Sequence, residues 1–175
     1  VQLDENASIN VSGASPTVAS LSDTLTCIGR VGTMGCGFEF TLEAARRALQ
    51  PQTNPGFLRD GAALLVFFIT DEDDCSSKNP QLFDPQQLGL KDPLGPLTSF
   101  RCFEFGISCD VNDRMTDGER KNCKPAFDWL YSIHEYAAFY SKLNRPVKMG
   151  AIFGPTSPVT VGKDGPNPVI KPSCQ

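Results

Sequence analysis

Residues 61–76, GAALLVFFITDEDDCS, pass from eight consecutive apolar side chains, Ala62 to Ile69, into four acids and a cysteine. The apolar run does not alternate with polar residues, and its Leu, Val, Phe and Ile content suits a strand better than a short buried helix. A strand apolar on both sides needs cover on both faces, as in a central parallel strand packed between helices. A second run of this kind, VKMGAIFG at 147–154, supplies a second buried strand. The acids begin where such a strand would end, and in open parallel sheets ligands bind beyond the strands' carboxyl ends. Taken alone, TDEDD fits either a hard-cation site built from oxygen ligands or a solvated turn beside a disulfide.

Helical segments surround these strands. LSDTLTCIGRVG places Leu21, Leu25, Ile28 and Val31 at helical spacing, which predicts a helix over 21–32. In CGFEFTLEAARRALQ, Leu42, Ala45 and Leu49 form one stripe and Glu43 can pair with Arg47 one turn later. The helix should stop before PQTNPG. AFDWLYSIHEYAAFYSKL, 126–143, predicts a third helix with Leu130, Ile133, Ala137 and Tyr140 facing inward and Pro125 near its first turn. VTV and PVI on either side of GKDG predict a small edge hairpin. The order helix, helix, strand, loop, helix, strand is that of a three-layer α/β fold, although two strands make an incomplete sheet.

Between Asp71 and Pro125 lie 55 residues with little periodicity and four of the seven cysteines. A loop of that length has to be tied down or be mobile, and disulfides among Cys75, Cys102, Cys109 and Cys123 would tie it. No two cysteines have Cys-x-x-Cys spacing, and a single histidine offers a metal cluster little, so an oxidising compartment is expected: secreted, periplasmic or cell surface. The odd count leaves one cysteine to remain free or to pair outside the chain, and Cys174 is the candidate. The 175 residues, 40% hydrophobic, suffice for one domain, expected over 21–175 after an irregular lead-in at 1–20. A net charge of −4 with no basic stripe argues against nucleic acid. No apolar run approaches the roughly eighteen residues of a membrane helix. An opening on Val1 rather than Met fits a processed product or an excised fragment.

In GCGFEFTLEAARRAL (35–49), NPGFLRDGAALLVFFITDEDDCS (54–76), RCFEFGISCD (101–110) and KMGAIFGP (148–155), the chain resembles the von Willebrand factor type A domain family. The likeness is closest to secreted or lipoprotein members from myxobacteria and related bacteria, and it covers roughly residues 21–174. It implies a doubly wound, mainly parallel α/β fold of the Rossmann-like three-layer kind, here incomplete, with the cysteine-rich loop inserted at 71–125. It also implies a metal-ion-dependent adhesion site at the top of the sheet, holding Mg²⁺ or another divalent cation. That site combines an Asp-x-Ser-x-Ser loop after the first strand, a Thr ahead of a middle helix, and an Asp at a later strand end. Asp71 matches the last of these.

The other two parts depart from the family pattern. No Asp-x-Ser-x-Ser occurs, as expected of a chain starting after the first strand, and Cys36 stands where the Thr would be, with Thr41 inside the helix. Cys36, a soft ligand, is better read as a disulfide partner, for instance of Cys27. The implied cation site is therefore degenerate: in a longer parent Asp71 would help bind Mg²⁺ or a similar hard cation, and in this chain binding is expected to be weak or absent. Asp71 is the leading ligand candidate, Asp73 a weaker one and Glu39 a supporting group behind the ligands, while Glu72, Asp73 and Asp74 also read as exposed carboxylates. His134 reads as a surface histidine. GKDG lacks a phosphate-loop frame, DVNDRMTDGE lacks EF-hand spacing, and Asn6 and Asn10 begin Asn-x-Ser sequons.

The expected function is a non-catalytic binding or adhesion module that meets a protein or glycan at the loop end of the sheet. Two alternatives are a metal-dependent hydrolase, which would need an acid–base group the sequence does not supply, and a structural envelope module without metal.

Overall fold

The computed structural model describes residues 2–3, 9–10, 23, 26–27, 29–30, 32 and 37–173. The chain divides into two compact units, residues 1–36 and 37–175, rather than at residue 20. In the first, strand β1 (Gln2–Leu3) pairs antiparallel with β2 (Ile9–Asn10), so the lead-in expected to be irregular carries a short ladder. Of the helix expected over 21–32, the described positions Asp23, Thr26, Cys27 and Gly29 are helical. Arg30 and Gly32 are not helical, and the remaining positions of that stretch, with Cys36 and Cys174, lie outside the described residues.

The second unit contains helix α1 (Thr41–Ala48), strand β3 (Leu64–Ile69), helix α2 (Phe100–Gly106), strands β4 (Ile107–Ser108), β5 (Gly118–Arg120) and β6 (Lys124–Pro125), helix α3 (Ile133–Ser141), and strands β7 (Val147–Ile152), β8 (Val159–Asp164) and β9 (Asn167–Ile170). The two apolar runs form a parallel pair, β3 with β7, in register from Leu64 opposite Val147 to Ile69 opposite Ile152. The remaining ladders are antiparallel: β4 with β6, and a three-stranded sheet in the order β5–β8–β9. The expected doubly wound sheet is thus reduced to two parallel strands in a mixed α/β unit. VTV and PVI do form the hairpin, but its outer partner is β5 from the long loop.

One face of the parallel pair is covered. Leu49, Leu64, Tyr136 and Tyr140 are buried together, with Leu42, Val66, Phe139, Leu143 and Val147 packed around them, so α1 and α3 both lie on this side. The other face is bare among the described residues: Leu65, Phe67 and Ile69 are 69%, 53% and 73% exposed. This corrects the expectation of cover on both faces. Phe67 lies over Gly150, where an added Cβ would come within 2.6 Å of its ring.

Helix α3 is shorter than expected and rotated. Ser132, in an extended conformation, accepts from the His134 amide while Glu135 accepts from the Ser132 amide, a reciprocal cap that starts the helix there. Residues 126–132 are excluded from the helix, and Pro125 lies in β6. The inward residues are Tyr136 and Tyr140, whereas Ile133 and Ala137 are exposed.

Candidate functional site

The chain leaving β3 is not a free turn: it is hydrogen-bonded back to helix α1. Helix α1 has no cap of its own, because Phe40 at its N-cap position offers no side-chain acceptor. The missing acceptors come from the segment after the strand. Asp74 Oδ1 accepts from the Leu42 amide at 2.9 Å, and Ser76 Oγ accepts from the Glu43 amide at 3.0 Å while donating to Asp74 Oδ1 at 2.8 Å. Two of the four amides that a helix start leaves unpaired are satisfied this way, and a carboxylate there also meets the positive end of the helix dipole. Asp74, expected as an exposed carboxylate, is half-buried for this reason.

Glu43 completes the join. It is 2% exposed, yet both of its oxygens are paired: Arg46 donates to each at 2.7 and 2.8 Å, and Arg47 donates to Oε1 at 2.7 Å. Burial alone would push its carboxyl up, but the hydrogen bonds from Arg46 and Arg47 outweigh it and hold the carboxyl below the ordinary glutamate range. The Tyr136 hydroxyl also donates to Oε2 at 3.5 Å, tying α1 to α3.

The remaining acids after β3 stand at the tip. Asp71, Glu72 and Asp73 are exposed, as is Glu39. Partial desolvation, followed by the charges of Glu39, Asp71 and Asp73, raises Glu72, and desolvation followed by Asp74 raises Asp73. Among the described residues no three His, Cys, Asp or Glu side chains are grouped so as to hold a metal ion. With Asp74 engaged as a cap, the described residues do not by themselves fit the divalent cation that the resemblance implies. His134 is exposed on the first turn of α3.

The long loop is held by two kinds of clamp. Disulfides join Cys75 to Cys102 and Cys109 to Cys123, so all four loop cysteines are used, whereas Cys27 is free and exposed. Cys27 is thus not the disulfide partner it was expected to be. Three arginines supply the second kind. Arg101 is 0% exposed and spends all five of its N–H donors on loop carbonyls, those of Pro96, Leu82, Asp84, Gln87 and Gly95. Arg114 pairs with Glu104 at 2.7 Å and donates to the carbonyls of Asp92 and Pro93. Its guanidinium lies against Gly95, where any Cβ would sit 1.9 Å from Nη1. Arg120 holds the carbonyls of Gly118, Asp113 and Thr116.

This bracing builds an open cleft of about 590 Å³ walled by Trp129, Phe105, Leu94, Pro80 and Pro93, with Gln81, Gln87 and Asp84 as its polar groups. Trp129 is fixed from behind: its carbonyl accepts from the Lys78 amide and from Ser77 Oγ, and its ring packs 5.2 Å from that of Phe105. Both rings border the buried cluster of Cys75, Leu82 and Cys102. Apolar walls with a few placed polar groups are the usual make-up of a ligand cleft. Sequence reading passed over it because its walls come from three separate segments; the only signal was that Trp129 is the chain's sole tryptophan. Compared with protein families, with curated proteins and with solved structures, the chain has no match.

Proposed function

We propose that this chain is a partial von Willebrand A-like α/β domain serving as a non-catalytic extracellular binding module, and that it meets a protein or glycan partner through the surface of its braced loop. The observation that carries this reading is the Trp129–Phe105 cleft. An aromatic pair in an open groove, backed by the Cys75–Cys102 disulfide and Arg101, offers contact area at small ordering cost, because the surface is fixed before the partner arrives. The resemblance, the paired cysteines and the strand that ends in TDEDD support the same reading. The described residues do not by themselves complete a cation site, and the proposed contact is placed on the cleft.

The test is a screen of glycan and peptide arrays, followed by titration of each hit while the emission of the sole tryptophan is recorded. Binding should shift that emission, persist in EDTA, fail with Trp129→Ala and recover with Trp129→Phe. Hits that bind Trp129→Ala as well as the parent would place the contact elsewhere, and arrays without hits would favour a purely structural envelope role.

A further inference from the structure

Among the described residues that line the Trp129 cleft, Asp84 alone is ionisable. Its Oδ1 accepts from the Gln86 amide at 2.9 Å and its Oδ2 from Gln87 Nε2 at 3.3 Å, so both of these donors are neutral. Gln87 is itself held, because its Oε1 accepts from the Leu94 amide at 3.1 Å. The carboxylate is thus fixed in direction without being neutralised. Each oxygen also keeps acceptor capacity, since an ionised carboxylate offers about four acceptor sites. Among the described residues no lysine or arginine forms an ion pair with it. Buried Arg101 answers only part of the charge: its donors go to main-chain carbonyls, and its electrostatic attraction is shared among Asp84, Glu104 and Asp92. Opposite this acid, the rings of Trp129 and Phe105 meet at 55°, a corner rather than a flat stack, and Trp129 is half-buried. The face of an indole attracts cations more strongly than that of any other side chain.

Resting on the Trp129 cleft as the contact surface, we propose that its ligand is an arginine side chain of a protein partner, lying against Trp129 and forked onto Asp84. Covering the cleft takes Asp84 out of water, which is costly unless an opposite charge meets it. A neutral sugar brings hydroxyls and no charge. An ammonium group brings charge without a plane, whereas a guanidinium is flat enough to stack on the indole and forked to reach both carboxylate oxygens. Leu94, Pro80 and Pro93 make the rest of the wall apolar, and an open cleft of about 590 Å³ leaves room beside the arginine, so apolar residues should flank it.

The probe is acetyl-Leu-Arg-Leu-amide, added at low ionic strength to the intact isotope-labelled chain and followed by the indole N–H resonance of the sole tryptophan. A saturable shift is expected. The citrulline counterpart, equal in shape but uncharged, should bind about tenfold more weakly, because charge-assisted hydrogen bonds are roughly twice as strong as neutral ones. Asp84→Asn keeps an acceptor for the Gln86 amide and removes the charge, so this variant should bind the two peptides alike. Absence of binding, equal affinity of the parent for both peptides, or an arginine preference that survives Asp84→Asn would overturn the proposal. A neutral glycan that moves the same resonance while the arginine peptide does not would overturn the arginine and leave the cleft as the contact surface. Arginine binding unchanged in Trp129→Ala would overturn both.

Discussion

Asp74 stabilises a helix that lies more than thirty residues away in the chain, and the acids beside it do not. Its carboxylate accepts from the Leu42 amide and from Ser76 Oγ, whereas Asp71 stays exposed at the tip. Asp74→Ala should therefore cost about 1–2 kcal/mol in urea unfolding, the usual loss for a helix cap, and Asp74→Asn should recover part of it. Asp71→Ala should leave the urea midpoint unchanged. Glu43 makes a second residue-scale prediction. Its folded carboxyl is held below the usual glutamate value of 4.5, so the unfolded chain binds the proton more tightly. The stabilisation is then present above that value and lost as pH falls through the depressed one. The midpoint should fall as the pH is lowered below the ordinary glutamate value, and Glu43→Gln should flatten that slope while lowering stability at neutral pH. The Glu43–Arg47 pair was legible because four-residue spacing is local. The Asp74 cap was not, because nothing in DEDD marks which acid turns back toward a helix 32 residues upstream.

At the scale of elements, β3 tests which face of the sheet is core. Leu64 is buried among Leu49, Tyr136 and Tyr140, whereas its neighbour Leu65 is exposed on the bare face. Leu64→Ala should cost about 2–4 kcal/mol, the loss typical of a buried leucine. Leu65→Ala should change the unfolding free energy by less than about 0.5 kcal/mol, as an exposed position does. Comparable losses at both sites would mean that the second face is covered after all. Eight apolar residues in a row identified the strand and its parallel partner, yet the same run invited the inference of cover on both faces. A sequence pattern reports what a strand requires and not whether the requirement is met. Helix α3 shows the opposite case. Its start was written in Ser132-Ile-His-Glu135, a capping box, but the apolar residues upstream drew the expected boundary to 126.

In the second unit most of the buried apolar residues fall into two clusters rather than one. Leu49, Leu64, Tyr136 and Tyr140 lie under the parallel pair, and Cys75, Leu82 and Cys102 lie within the loop region. The first is held by packing between helices and strands. The second has few ladder hydrogen bonds and depends on its Cys75–Cys102 disulfide and on the carbonyl clamp of Arg101. Arg101 could not be recognised from sequence, since an arginine that binds only main-chain carbonyls needs no acidic partner at any fixed spacing. The chain carries its own separate probes of the two clusters: all three tyrosines, 131, 136 and 140, belong to the first, and the only tryptophan borders the second. With both disulfides intact, Trp129 emission and tyrosine near-ultraviolet signals should lose structure together in a urea titration. Each bridge restrains the unfolded chain by about 2–4 kcal/mol, so reduction should weaken the loop cluster far more than the sheet cluster. After reduction the Trp129 transition should therefore move to lower urea and precede the tyrosine transition, which marks the loss of two-state behaviour. Coincident transitions in the reduced protein would mean that the packing of α1 against Asp74 and Ser76, not the disulfides, carries the cooperativity between the two clusters.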